Sequence, residues 1–215
     1  MNPEDFLRTA SVIALPLISA ITLHEWAHGW VASIRGDRSA KMLGRLSLNP
    51  IRHIDPIGTI LVPLTLIVTG TGFIFGWAKP VPVNQSALKI PRFDMALVAI
   101  AGPLANIIMA ILWGMIIKFS PPTTSEALLW LKLTSASGVS FNIFLAVLNM
   151  LPIPPLDGGR IASALIPRKL AFYYDMLEPY GLFILIALMF SGILSAVISP
   201  IYYGVTEFIN HLLQF

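Results

Sequence analysis

The sequence has no cysteine in 215 residues. That excludes disulfides, a thiolate nucleophile and Cys-ligated zinc, and leaves His, Asp and Glu as the side chains able to hold a metal. Charge is scarce too: Asp, Glu, Lys and Arg together make up 12% of the chain, about half the share of a soluble globular domain. In their place 56% of residues are hydrophobic, at a mean hydropathy of +0.78. The expected fold class is an all-α integral membrane protein, a polytopic helical bundle of about 4–6 membrane segments with a small re-entrant or β-hairpin element. A single domain, residues 1–215, fits the length. The net charge of +3 sits in short loops beside apolar runs, so it reads as topology signal and headgroup contact, and no nucleic-acid partner is expected. The first five residues carry no basic side chain and the apolar run after them meets no cleavage site, so a retained segment is expected rather than a signal peptide.

What is present is concentrated in His24-Glu25-Trp26-Ala27-His28. The spacing predicts one helix from about Pro3 to Ile34 with Gly36 past its end, and on it residues four apart stack, so His24 and His28 can face one metal ion. Glu25 lies about 100° further round, within reach of a water at that metal. A solvated surface pair is the plain alternative, but the apolar run from Phe6 to Leu23 leaves no wet face, and ionisable groups at membrane depth mark function. Pro16 predicts a bend one turn earlier. The polar connection 35–55 holds a short alternation, Met42 to Leu48, that predicts a strand, and His53, open between a further ligand or support to a ligand and an exposed loop histidine. Ile57 to Trp77 is apolar enough to cross, yet Pro63, Gly70, Gly72 and Gly76 interrupt it. Spans are expected over Phe93–Phe119, Glu126–Met150 and Tyr180–Ser199, the last stopped by Pro200.

Catalytic zinc takes about three protein ligands and leaves a position for water. Asp157 is a candidate third, fixed between the prolines of Asn149–Pro155 and Gly158-Gly159, with a turn or cap role as its alternative. Taken together, His24-Glu25-x-x-His28, Ala101-Gly102-Pro103-Leu104-Ala105-Asn106, Gly76–Val83 and Asn149-x-x-Pro152-x-Pro154-x-x-Asp157-Gly158 resemble the intramembrane site-2 protease family of zinc metalloproteases, in its compact form without attached soluble domains. The likeness extends from about Leu23 to Arg160. It implies one zinc ion per chain held by His24, His28 and Asp157, with Glu25 as general base and single-span membrane proteins as substrates. It further implies that Asn149 touches substrate or oxyanion, with Asn142 one heptad earlier sharing that role or simply packing. Asn106 is expected to bond helix to helix. Many members carry a span before the H-E-x-x-H helix, and the 23 residues ahead of His24 predict none here.

For His28 and Asp157 to share a metal, the chain must cross the bilayer an even number of times between them. Phe93–Phe119 and Glu126–Met150 supply two crossings, so Ile57–Trp77 should be re-entrant. The charges agree: the Lys and Arg of 35–52, 79–92 and 160–169 then share one side, against Arg8 and Lys118 on the other. The expectation is a multi-pass protein of the cell membrane with its site opening toward the cytoplasm. The rivals are a zinc-binding membrane transporter and a non-catalytic membrane regulator.

Overall fold

The structure is a computed structural model that describes residues 3–69 and 76–214. Helix α1, Pro3–Ile34, is followed by short α2, Ser39–Met42, a π-helical turn over Pro56–Leu61 and α3, Val62–Thr69. Two long helices come next, α4 over Pro91–Phe119 and α5 over Glu126–Asn149. The chain then forms α6, Asp157–Leu165, α7, Arg168–Asp175, α8, Gly181–Phe190, and α9, Ile193–Leu213. No strand occurs among the described residues. Among the described residues four stretches are long and apolar enough to cross a membrane: Leu7–Ile34, Pro91–Phe119, Glu126–Asn149 and Arg168–Phe190. The chain is a multi-pass, all-α membrane protein.

The distribution of side chains follows from that solvent. Leu104, Ile108 and Leu112 of α4 point outward, while Asn106 on the same helix is fully buried, as are Thr134, Ser135 and Asn142 of α5. With lipid outside, the polar groups must find partners between helices. Helices α1, α4 and α5 pack on one another and α6 packs on α4. Close approach of α4 and α5 depends on Gly138, where a Cβ would overlap the ring of Trp113. Around Trp113 an apolar cluster of Ala110, Ile143 and Val147 continues to Ile198 and Ile209 of α9.

Several expectations need correction. Met42 to Leu48 is no strand: Met42 ends α2, and the chain then turns, with the Arg45 and Leu46 N–H groups donating to the Ala40 carbonyl. The last helix is not stopped by Pro200. The break lies at Gly192, whose φ of +76° is left-handed, and α9 runs through the proline. Segment 57–77 is helical over 57–69 and irregular at 76–77, with residues 70–75 outside the described residues. Its two ends meet, Trp77 N–H donating to the Gly58 carbonyl (3.1 Å) and Thr59 Oγ1 to the Trp77 carbonyl (2.8 Å). The segment therefore brings the chain back to where it left, as the parity of crossings requires. The basic loops accordingly share one end: Arg45 donates to the Lys79 carbonyl at 2.8 Å, and Arg92 to the carbonyls of Ser163 and Ile166. Arg8 pairs with Glu126 (3.5 Å) elsewhere.

Candidate metal centre

His24 and His28 lie one turn apart on α1, their rings edge to face with centroids 4.5 Å apart. Asp157 is the first residue of α6. Its position is set by Gly158-Gly159: a Cβ on Gly158 would overlap the Met150 and Leu151 carbonyls, and one on Gly159 would stand 2.7 Å from Pro154 N. Without side chains there, the first turn of α6 seats on the turn that ends α5 and aims the carboxylate at α1. The Nε2 atoms of His24 and His28 are 3.0 Å apart, and Asp157 Oδ2 is 3.2 Å from each. All three side chains are buried.

The hydrogen bonds behind the rings decide which atoms carry protons. Asn106 Nδ2 donates to the Ala20 carbonyl (3.2 Å) and to Asn142 Oδ1 (3.0 Å), so Asn106 Oδ1 is an acceptor. His24 Nδ1 donates to that oxygen (2.7 Å), and His28 Nδ1 donates to the Val98 carbonyl (2.7 Å). A neutral imidazole has one N–H, here spent on the far side of each ring, which leaves two Nε2 lone pairs facing each other and a carboxylate oxygen. Asp157 Oδ2 is buried and receives no hydrogen bond. Three buried lone-pair atoms this close repel one another unless a cation sits among them. A proton satisfies one pair, whereas a divalent ion satisfies all three. Tetrahedral coordination at about 2.0–2.2 Å separates ligand atoms by about 3.3–3.6 Å, a few tenths of an ångström more than the trio's spacing. The residues fit such an ion.

The trio opens on a cavity of about 120 Å³ whose polar lining is His24, Glu25, His28, Asn149, Asp157 and Arg160, with Pro80, Val81, Val83 and Pro155 as apolar wall. Glu25, half-buried, accepts the Val81 N–H on Oε2 at 2.7 Å. Val81 belongs to an extended strap, residues 76–84. N–H groups of Trp77, Lys79 and Val81 face the protein and bond Gly58, His53 and Glu25 in turn, while Pro80 and Pro82 fill the outward positions and have no N–H to leave unpaired.

Sequence-predicted residues fall in different places. His24, His28, Asp157 and Glu25 converge, and Asn149 lines the same cavity. Asn142 does not line it: the side chain is fully buried behind Asn106, giving Nδ2 to the Gly138 carbonyl at 2.8 Å. His53 is neither in the trio nor an exposed loop histidine. It is 3% exposed, bonds the Ser47 carbonyl (2.8 Å) and accepts the Lys79 N–H on its own carbonyl. Asn106 does join helices, and it also orients His24, a role its polarity on a spanning helix signals. The Val81 donor is a backbone group that no residue type announces.

A family model described as Peptidase family M50 matches residues 123–192, which include Asn149 and Asp157. Over 200 residues the chain is 38% identical to YwhC of Bacillus subtilis, named as a zinc metalloprotease, covering 87% of this chain and 84% of that one. Rip2 of Mycolicibacterium smegmatis, similarly named, is 29% identical over 78% of this chain and 62% of its own length. Rip2 of Mycobacterium tuberculosis is 35% identical over 68% of this chain and 54% of its own. No solved structure matches the chain. With that identity across most of YwhC, the protein belongs to Peptidase family M50, the site-2 protease family.

Proposed function

We propose that this chain is a zinc-dependent intramembrane endopeptidase that hydrolyses peptide bonds in or near the transmembrane segment of single-span membrane proteins. In this reading residues 1–215 form one membrane-embedded domain, seated in the cell membrane with the basic loops and the site toward the cytoplasm. One observation carries it: two imidazole lone pairs and a buried carboxylate oxygen converge beside a glutamate inside a bundle of apolar helices. His24, His28 and Asp157 would hold one zinc ion, which would supply Lewis acidity toward a water and a substrate carbonyl. Glu25, steadied through one oxygen by the Val81 N–H, takes the proton of the attacking water with the other and hands it to the departing amine nitrogen. A C–O bond forms and the C–N bond breaks. Asn149 lies against the substrate, with Oδ1 available to a peptide N–H. Asn142 supports His24 through Asn106. Because a helical substrate has its amides already bonded, it must unwind to reach the trio.

A zinc transporter has no use for a proton acceptor beside the ligands, and Glu25 therefore favours hydrolysis. The test is purified protein in detergent with a panel of single-span peptides. Cleavage is expected, along with its loss on zinc chelation and its loss by about 10³-fold or more in Glu25→Gln at unchanged zinc content. Undiminished cleavage under chelation sinks the proposal.

A further inference from the structure

When water adds to a peptide carbonyl, the electron pair of the C=O bond moves onto oxygen, and that oxygen needs preorganised hydrogen-bond donors. The donors lining the cavity can be counted. The Nδ1 hydrogens of His24 and His28 go to Asn106 and the Val98 carbonyl. The Val81 N–H goes to Glu25, and Pro80 and Pro155 have none. Asn149 spends an Nδ2 hydrogen on the Leu145 carbonyl at 3.0 Å. Arg160 remains. It is half-buried in the lining, and its guanidinium has no hydrogen bond or ion pair among the described residues. At three residues beyond Asp157 on α6 it shares that residue's helix face. The other buried or half-buried arginines at this end are engaged: Arg35 with Asp94, Arg45 with the Lys79 and Pro80 carbonyls, Arg92 with those of Ser163 and Ile166. A permanently charged group with five donors thus stands half-buried in the same lining as the Glu25 and Asp157 carboxylates and bonds neither.

We propose that Arg160 is a catalytic residue: its guanidinium donates to the scissile carbonyl oxygen as negative charge collects there. On collapse the electron pair returns to carbon, the C–N bond breaks and the proton held by Glu25 passes to nitrogen. The proposal rests on the peptidase reading above. It places the contact in the transition state, so the rate constant should fall while substrate affinity stays.

The test uses the full chain in detergent, with wild type, Arg160→Gln and Arg160→Lys, a cleavable single-span peptide, and the same peptide with a phosphinate at the scissile bond. Arg160→Gln is expected to lose about 10²–10³-fold in kcat at unchanged KM and zinc content, and phosphinate affinity should fall by a similar factor. Arg160→Lys should lie between it and wild type. Unaltered kcat and phosphinate affinity overturn the proposal. A raised KM at constant kcat also overturns it, assigning Arg160 to an acidic substrate side chain, and zinc loss in both variants makes the residue structural. Should the wild type bind the phosphinate through Arg160 yet cut nothing, only the peptidase reading falls. If it does neither, both fall.

Discussion

The two walls of the cavity are held in different ways. The helical wall carries His24, His28 and Asp157, and each support is itself supported: His24 by Asn106, Asn106 by Ala20 and Asn142, Asn142 by Gly138. The strap wall has no regular structure and hangs from single bonds to Gly58, His53 and Asp37, with Arg45 gripping two of its carbonyls. It contributes one N–H, to Glu25. Helices thus fix the proposed metal-binding atoms through packing, while Glu25, the proposed proton acceptor, is steadied by a segment tied at points. Metal binding and proton transfer should therefore fail separately.

Gly102→Val attacks the helical wall and has the largest expected effect. A Cβ at Gly102 would overlap His28 Nε2 and lie 2.6 Å from His24 Cε1. No flexible side chain can yield there, because both rings are pinned from behind, so the trio must spread. Zinc affinity is expected to fall by at least about 10–100-fold, as when partners that orient ligands are lost, with activity falling alongside. Chelator competition and metal analysis measure it. Retention of full zinc affinity would mean that the rings are not pinned as described. Val81→Pro attacks the strap instead, deleting the N–H on Glu25 in a segment already extended and proline-rich. A loss of about tenfold in kcat is expected from a mispositioned base, with zinc affinity unchanged. If zinc is lost with activity in this variant, the two walls are not independent.

The same division governs what could be read in the sequence. Helix α1 and its stacked histidines follow from a long apolar run and a four-residue interval, both local properties, and the boundaries of α4 and α5 follow from prolines and caps. Asp157 beside the histidines is a long-range fact, yet the parity of crossings and the clustering of basic loops constrain it strongly. The strap lies beyond such reasoning. Its chemistry is in backbone donors, and what reveals it in retrospect is the alternation Lys79-Pro80-Val81-Pro82, which leaves N–H groups on one edge alone. Misreadings cluster in this class: Met42–Leu48 has a strand's alternation but is claimed by a helix end, Pro200 is overridden by the packing of α9, and buried His53 serves the strap's backbone. Gly102 is legible only in part, since the need for a bare Cα appears once the rings are placed.

The smallest effect expected is at the far anchor of the strap. Asp37 is 1% exposed and uses both carboxylate oxygens on backbone donors, the Ser39 N–H at 2.8 Å and the Asn84 N–H at 2.6 Å. Burial pushes its carboxyl up, but the bonds from Ser39 and Asn84 more than offset this and hold it below the ordinary carboxylate value. With the folded pKa depressed, the unfolded chain takes up the proton first as pH falls. The stabilisation is therefore complete above about pH 5 and disappears as pH drops through the folded pKa. Asp37→Asn turns one acceptor into a donor facing a donor, at a cost of about 1–3 kcal/mol at neutral pH. Thermal unfolding in detergent should show the variant less stable at pH 7, with the gap narrowing as pH falls below the unfolded carboxyl's ordinary value and the unfolded wild-type chain takes up its proton. A gap of constant size across that range would mean that Asp37 acts through shape rather than charge. The strap would then be held by its packing on Gly58 and His53, and its steadying of Glu25 would be insensitive to acid.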